Sequence, residues 1–193
     1  MISGFYRMKY LLKNNRDGAA SVYRTTVKVS QDERNIYFKF VAEHSNYYCP
    51  YHNYNDIHSC GDAVEILIGI DPARKTYYEL EVNPDNSKML AKMTVTALDG
   101  DGAAKLNIEF VDEKDCFFTS TTAKTSGGYI VCIVIDKVRL NMPVEQIYFN
   151  AYRLETDGGE MEKHLFAINP TMCGKFHVPT RYVMLRDYIS PGK

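Results

Sequence analysis

The spacing of apolar segments constrains this chain most. Short apolar-rich runs recur at intervals of roughly eight to twelve residues, separated by turn-forming residues, a pattern that belongs to sandwiches and barrels. The runs predict strands near 5–12, 22–30, 36–43, 63–70, 77–83, 89–97, 106–111, 116–124, 128–136, 146–155, 163–168 and 180–187. Within 129–135, Tyr129, Val131, Ile133 and Ile135 share one face and Ile130, Cys132 and Val134 the other, which predicts a strand buried on both sides. Ser126-Gly127-Gly128 predicts a hairpin, Asp32 to Asn35 a second turn, and Asp157-Gly158-Gly159 a third. Pro143 and Pro170 interrupt the best helical stretches, so no helix longer than two turns is expected. With no repeat and no linker, residues 1–193 read as one all-β antiparallel sandwich domain.

Charge and cysteine content narrow the partners. The formal net charge is −1, which offers no basic surface for nucleic acid or for an anionic membrane. No run approaches the length of a membrane span. The opening MISGFYRMKYLL has no charged start leading into an apolar run and a cleavage site, so the reading is either a cytoplasmic protein or the mature form of a secreted one. Five cysteines, Cys49, Cys60, Cys116, Cys132 and Cys173, are too few and odd in number for a disulfide scaffold. Tryptophan is absent while tyrosine numbers 15, a bias that suits both strands and wet binding surfaces.

One segment is neither strand nor tight turn. Residues 44–60, HSNYYCPYHNYNDIHSC, form a long polar loop with four tyrosines, and loops of this length are commonly functional. The loop is a candidate place for a ligand, or for a partner protein.

Three passages together resemble the family 9 carbohydrate-binding modules and their DOMON-like relatives. They are GDAVEILIGI at 61–70 with YYELEVNP at 77–84, FNAYRLE at 149–155, and HLFAINPT at 164–171 followed by FHVPTRYVML at 176–185. The resemblance implies a β-sandwich of jelly-roll type. It also implies a non-catalytic domain that binds a saccharide or oligosaccharide end in a cleft, needs no cofactor, and accompanies a glycoside-degrading enzyme. Family members stack tryptophan on the sugar. Here Ile168 stands where the tryptophan before Asn-Pro would be, so the stacking role passes to Phe176 or to a loop tyrosine.

The resemblance marks Glu65, Asn83, Asn150, Arg153, Phe176 and His177 as ligand-binding candidates, with Tyr54 and His58 from the loop. Each has a second reading. Glu65 is an acceptor for sugar hydroxyls or a paired carboxylate of the polar face. Asn83 and Asn150 suit hydroxyl pairs, but Asn83 precedes Pro84 and also suits a turn, and Asn150 suits an interior amide. Arg153 is a ligand donor or the ion-pair partner of Glu155 or Glu81. Phe176 is a stacking face or a core ring, and His177 a ligand contact or a loop-orienting group.

Rival chemistries are weaker. His44, Cys49, His52, His58 and Cys60 have zinc-ligand identities without the paired spacing of a zinc knuckle. Glu79 and Glu81 sit two apart on one predicted strand, so they share a face and cannot flank opposite sides of a scissile sugar bond. The resemblance to DOMON-like domains also implies a haem reading, with Met161, His164 and Met172 as its ligands, but no attachment motif occurs. Asp99-Gly100-Asp101-Gly102 leaves bound calcium open, although two acidic residues in a Gly-rich turn are a poor site by themselves.

Overall fold

The computed structural model describes residues 9–56, 61–159 and 163–189. Among these residues thirteen strands run in order: β1 Tyr10–Leu11, β2 Lys13–Asn14, β3 Thr25–Gln31, β4 Asn35–Glu43, β5 Ala63–Gly69, β6 Thr76–Val82, β7 Lys88–Leu98, β8 Ala104–Phe110, β9 Phe118–Thr125, β10 Gly128–Asp136, β11 Tyr148–Glu155, β12 His164–Ala167 and β13 Val183–Met184. They build two antiparallel sheets. The first has the order β1-β3-β4-β10-β9; the second runs β2-β12-β11-β5-β6-β7-β8, with β13 added against β11. The chain therefore passes from sheet to sheet after β1, β2, β4, β8 and β10, and the inner faces of the two sheets enclose one apolar core. Among the described residues no helix is long and apolar enough to cross a membrane.

Period-2 patterning makes that core. On β4, Ile36, Phe38, Phe40 and Ala42 point inward; on β10, Tyr129, Val131, Ile133 and Ile135 do so, and they meet Val64, Ile66 and Ile68 of β5. The turn predicted at Asp32 forms because its Oδ1 accepts from the backbone N–H groups of Arg34 and Asn35, at 2.8 and 2.7 Å. The hairpin at Gly127-Gly128 depends on glycine: Gly128 has φ +146°, and a Cβ there would overlap the Ala42 carbonyl oxygen.

Three expectations change. Of the strand predicted at 5–12, residues 5–8 lie outside the described residues and only Tyr10–Leu11 forms strand. The outward residues of β10, Ile130, Cys132 and Val134, are only half-buried, because nothing packs fully over the outer face of the first sheet. The strand buried on both sides is instead β5, in which every residue from Ala63 to Gly69 is buried. The predicted strand at 180–187 contracts to the two residues of β13, flanked by 3₁₀ turns at Pro179–Arg181 and Leu185–Asp187. The reason is the edge it joins. β12 pairs with Tyr152–Glu155 of β11, which leaves Tyr148 and Phe149 for β13.

The closing segment covers the outer face of the second sheet. Leu67, Tyr77, Ala91, Met93, Tyr152, Ala167 and Tyr182 form a second apolar cluster there, with Phe176 packed against it. This cover buries the outward side of β5 and gives that face a walled groove.

Candidate functional site

Register determines which side chains meet on the outer face. Glu65 of β5 lies opposite Glu81 of β6, and Leu67 lies opposite Glu79. Glu79 in turn faces Ala91 of β7, and Glu81 faces Met89. Glu65, Glu79 and Glu81 thus project from one face of two adjacent strands. They are only 6%, 6% and 8% exposed, so the three carboxyls crowd a nearly dry wall. Burial first, then the charges of Glu79 and Glu81, push the Glu65 carboxyl well above the usual carboxylate range. Its Oε1 is buried and has no hydrogen-bond donor among the described residues.

The opposite wall comes from the closing segment. Asn15, fully buried, donates from its amide to the carbonyls of Cys173 and Lys175 at 3.2 and 3.0 Å and accepts from the Thr171 N–H at 2.9 Å. This pins the 171–175 loop against the sheet. Phe176 then stacks on Tyr152, ring centroids 4.1 Å apart, and the Tyr152 hydroxyl donates to the Phe176 carbonyl at 2.9 Å. His177 follows, its carbonyl accepting from the Ala104 N–H at 2.7 Å. The imidazole reaches Glu79, Nε2 to Oε1 3.3 Å, while Nδ1 lies 3.0 Å from the Tyr77 hydroxyl.

Between the walls is a groove of about 450 Å³, lined by the three glutamates, Phe176, His177, Lys163 and Lys175, with Met89, Met93, Ile108 and Phe110 as its apolar side. Ile108 and Phe110 are each 47% exposed, so this side opens to solvent. Lys175 Nζ is held by Asp99 at 2.5 Å and by Asp101 at 3.4 Å. Asp99 also accepts from the Asp101 and Ala103 N–H groups, so the Asp-Gly-Asp-Gly turn is closed by backbone and lysine contacts. A larger hollow beside Asn14, Arg16, His164 and Gly174 is mainly polar and has no comparable flat apolar surface.

Of the candidates read from sequence, the fold brings Glu65, Phe176 and His177 together. Arg153, Asn83, Asn150 and Tyr54 lie elsewhere. Arg153 pairs in register with Val64, one residue from Glu65, and therefore points through the sheet to the inner side, where it bonds Thr25, the Glu43 carbonyl and Glu155. Asn83 is committed to its turn: Oδ1 accepts from the Asp85 and Ser87 N–H groups at 3.0 and 2.9 Å, and Nδ2 donates to the Tyr51 carbonyl at 2.8 Å. Asn150 is a saturated interior amide. It donates to the Tyr152 hydroxyl and the Asn169 carbonyl, both at 2.8 Å, and accepts from the Ala151 and Asn169 N–H groups. It stands behind the groove, orienting the tyrosine that supports Phe176. Tyr54 packs its ring on the main core, and its hydroxyl is buried beside the Cys116 thiol. His58 lies outside the described residues, as do Cys60 and Met161.

The described part of the 44–60 loop is a strap. Asn55 donates to the Val111 carbonyl and accepts from the Leu90 N–H, both at 2.9 Å, and Ser87 donates to the Asn53 carbonyl at 2.7 Å. Tyr47 packs edge-on against Tyr129 in the core. His44 is held by Glu155 and Asp157, at 3.0 and 3.4 Å.

Sequence reading alone passed over the apolar side of the groove. Alternation in β7 and β8 could have shown it, since Met89 and Met93 share a face, and Ile108 and Phe110 occupy alternate positions of an edge strand.

The fold defines an antiparallel two-sheet sandwich with a groove on the outer face of its larger sheet. Solved structures of low sequence identity share the two-sheet sandwich. A candidate carbohydrate-binding protein from Bacteroides uniformis aligns with a TM-score of 0.71 and 11% identity, covering 91% of this chain and 84% of that one. A family 9 carbohydrate-binding module from Caldicellulosiruptor kristjanssonii, solved with glucose, aligns with a TM-score of 0.60 and 14% identity over 90% of this chain and 82% of its own. The complex of a family 9 module from that organism with cellotriose gives 0.59 and 14%, covering 92% and 77%. The fold is that of the family 9 carbohydrate-binding modules. No protein-family profile and no curated protein sequence matches the chain.

Proposed function

We propose that this is a non-catalytic carbohydrate-binding module whose saccharide lies in the groove beside Glu65, Glu79 and Glu81. The observation that carries the reading is the pairing of a wall of acceptors with a flat apolar surface. A sugar has hydroxyls around its rim and C–H patches on its faces. A complementary site needs polar groups in the ring plane and an apolar or aromatic face against it. Glu65, Glu79, Glu81 and His177 supply the first; Phe176, Ile108 and Phe110 supply the second. The volume lies in the range of small-ligand clefts, roughly 300–1,000 Å³. Glucose and cellotriose, bound by the structurally similar modules, are the first ligands to try.

Phenylalanine and isoleucine present less stacking area than tryptophan, so binding is weak, with a dissociation constant on the order of micromolar to millimolar. Titration calorimetry or ligand-observed resonance against a glycan panel tests this. Because the Glu65 carboxyl is held well above the usual carboxylate range, Glu65→Gln is expected to weaken binding by roughly two- to ten-fold, the equivalent of about 0.5–1.5 kcal/mol for a neutral hydrogen bond. Phe176→Ala is expected to weaken it as well. Asn83→Ala and Arg153→Met act on the turn and the inner side of the sheet, and the folded variants keep their affinity. No glycan bound at millimolar concentration, or parental affinity in both groove variants, removes the assignment.

A further inference from the structure

One ligand-type atom from each of Glu65, Glu79 and His177 lies within 4.8 Å of the other two. His177 Nε2 stands 3.3 Å from Glu79 Oε1. Two ligands of a tetrahedral ion, each at about 2.1 Å, are separated by about 3.4 Å. The far nitrogen of the ring is 3.0 Å from the Tyr77 hydroxyl, the kind of outer contact that fixes the orientation and tautomer of a ligating imidazole. Independently, Glu65 is 6% exposed and its Oε1 has no donor among the described residues. A carboxylate so placed requires a proton or a cation beside it.

We infer that Glu65, Glu79 and His177 form a binding site for one divalent cation. One imidazole nitrogen with two carboxylates suits zinc or manganese better than calcium, which prefers six to eight oxygens. Glu81, opposite Glu65 across the strand pair, adds a further carboxylate to the same wall. The cation's remaining positions open into the groove. Water fills them in the absence of ligand. If the saccharide reading holds, vicinal hydroxyls take the place of water, a clause that rests on that reading while cation binding itself does not.

The test is titration of manganese(II) chloride into the full chain after chelator treatment, with no saccharide present. Manganese is the chosen probe because its preference for oxygen and nitrogen keeps it from cysteine thiols. We expect one ion per chain and at least tenfold weaker uptake in Glu79→Gln and in His177→Gln, each shown by circular dichroism to be folded. In the unsubstituted protein, paramagnetic broadening centred on the rings of Tyr77, Phe176 and His177 reads the location without any variant. No uptake at millimolar manganese overturns the inference. So does uptake that persists in both variants, or broadening centred on residues 44–56. Manganese binding without any glycan binding leaves the cation site standing and removes the saccharide reading; glycan binding without manganese does the reverse.

Discussion

Replacing Arg153 with methionine is expected to lower the unfolding free energy by about 3–5 kcal/mol, the usual effect of removing one partner from a buried ion pair. Arg153 is fully buried. Its guanidinium donates to Thr25 Oγ1 at 2.8 Å and to the Glu43 carbonyl at 3.0 Å, pairs with Glu155, and lies 5.4 Å from the centre of the Tyr129 ring. Methionine fills part of the volume but leaves the Glu155 carboxylate facing His44 and the Asp157 N–H without its strongest partner. The double variant Arg153→Met/Glu155→Leu is expected to recover much of the loss, because a buried pair replaced by apolar groups no longer strands a charge. Urea unfolding of the single and double variants measures both effects. A loss below about 1 kcal/mol in the single variant would place the pair in contact with solvent, contrary to its burial.

Stability is expected to fall as pH rises from about 4 to about 7, through Asp62 together with Glu65. Burial, followed by the nearby Glu155 charge, raises the Asp62 carboxyl from 3.8 to about 7. Its Oδ2 accepts from the Tyr48 N–H at 2.9 Å and from Thr156 Oγ1 at 2.8 Å, while Oδ1 is buried without a donor among the described residues. A carboxyl raised in the folded state holds its proton there at pH values where the unfolded chain has released it. The folded state binds more protons across the window, so its stability is greatest below pH 4 for this group and declines until the folded carboxyl ionises. At about 1.4 kcal/mol per unit, the contribution is on the order of 2–4 kcal/mol. Asp62→Asn supplies an amide in place of the protonated acid: a donor toward Glu155 and an acceptor for Tyr48 and Thr156. The variant is therefore expected to lose much of the pH slope and to exceed the parent at pH 8. Glu65, raised for the same physical reason, keeps part of the slope in place. Thermal unfolding in chelated buffer at pH 5 and pH 8 decides it. A parent that gains stability toward pH 8 would contradict the burial of this carboxyl.

The strand pattern was readable because each strand has to bury one face, and period-2 alternation records that requirement residue by residue. The strands β4 and β10, the hairpin at Gly127-Gly128 and the Asp32 turn all follow from local sequence. The closing segment was less legible. Val183 and Met184 alternate like a strand, but the length of β13 is decided by how much of β11 remains unpaired after β12 docks. For the candidate residues, composition identified good hydrogen-bonding groups without saying which were already in use. Asn83 and Asn150 have the chemistry of sugar ligands, yet the backbone and side-chain groups around them consume their amides.

By itself, the sequence determined an antiparallel sandwich, because apolar runs of strand length at this spacing can be buried only by facing a second sheet. It also determined that Glu65 would stand on the opposite face from Val64 and Ile66, since successive residues of a strand alternate. Which face became a groove was decided by tertiary structure. Pairing of β5 with β6 and β11 brought Glu81 and Tyr152 beside Glu65 and sent Arg153 to the far side. The return of the closing segment, pinned by Asn15, brought Phe176 and His177 to residues about a hundred positions earlier in the chain. Long-range register and the docking of a loop leave no local periodicity to read, because they are selected by the packing of the whole sheet and not by any one stretch of it.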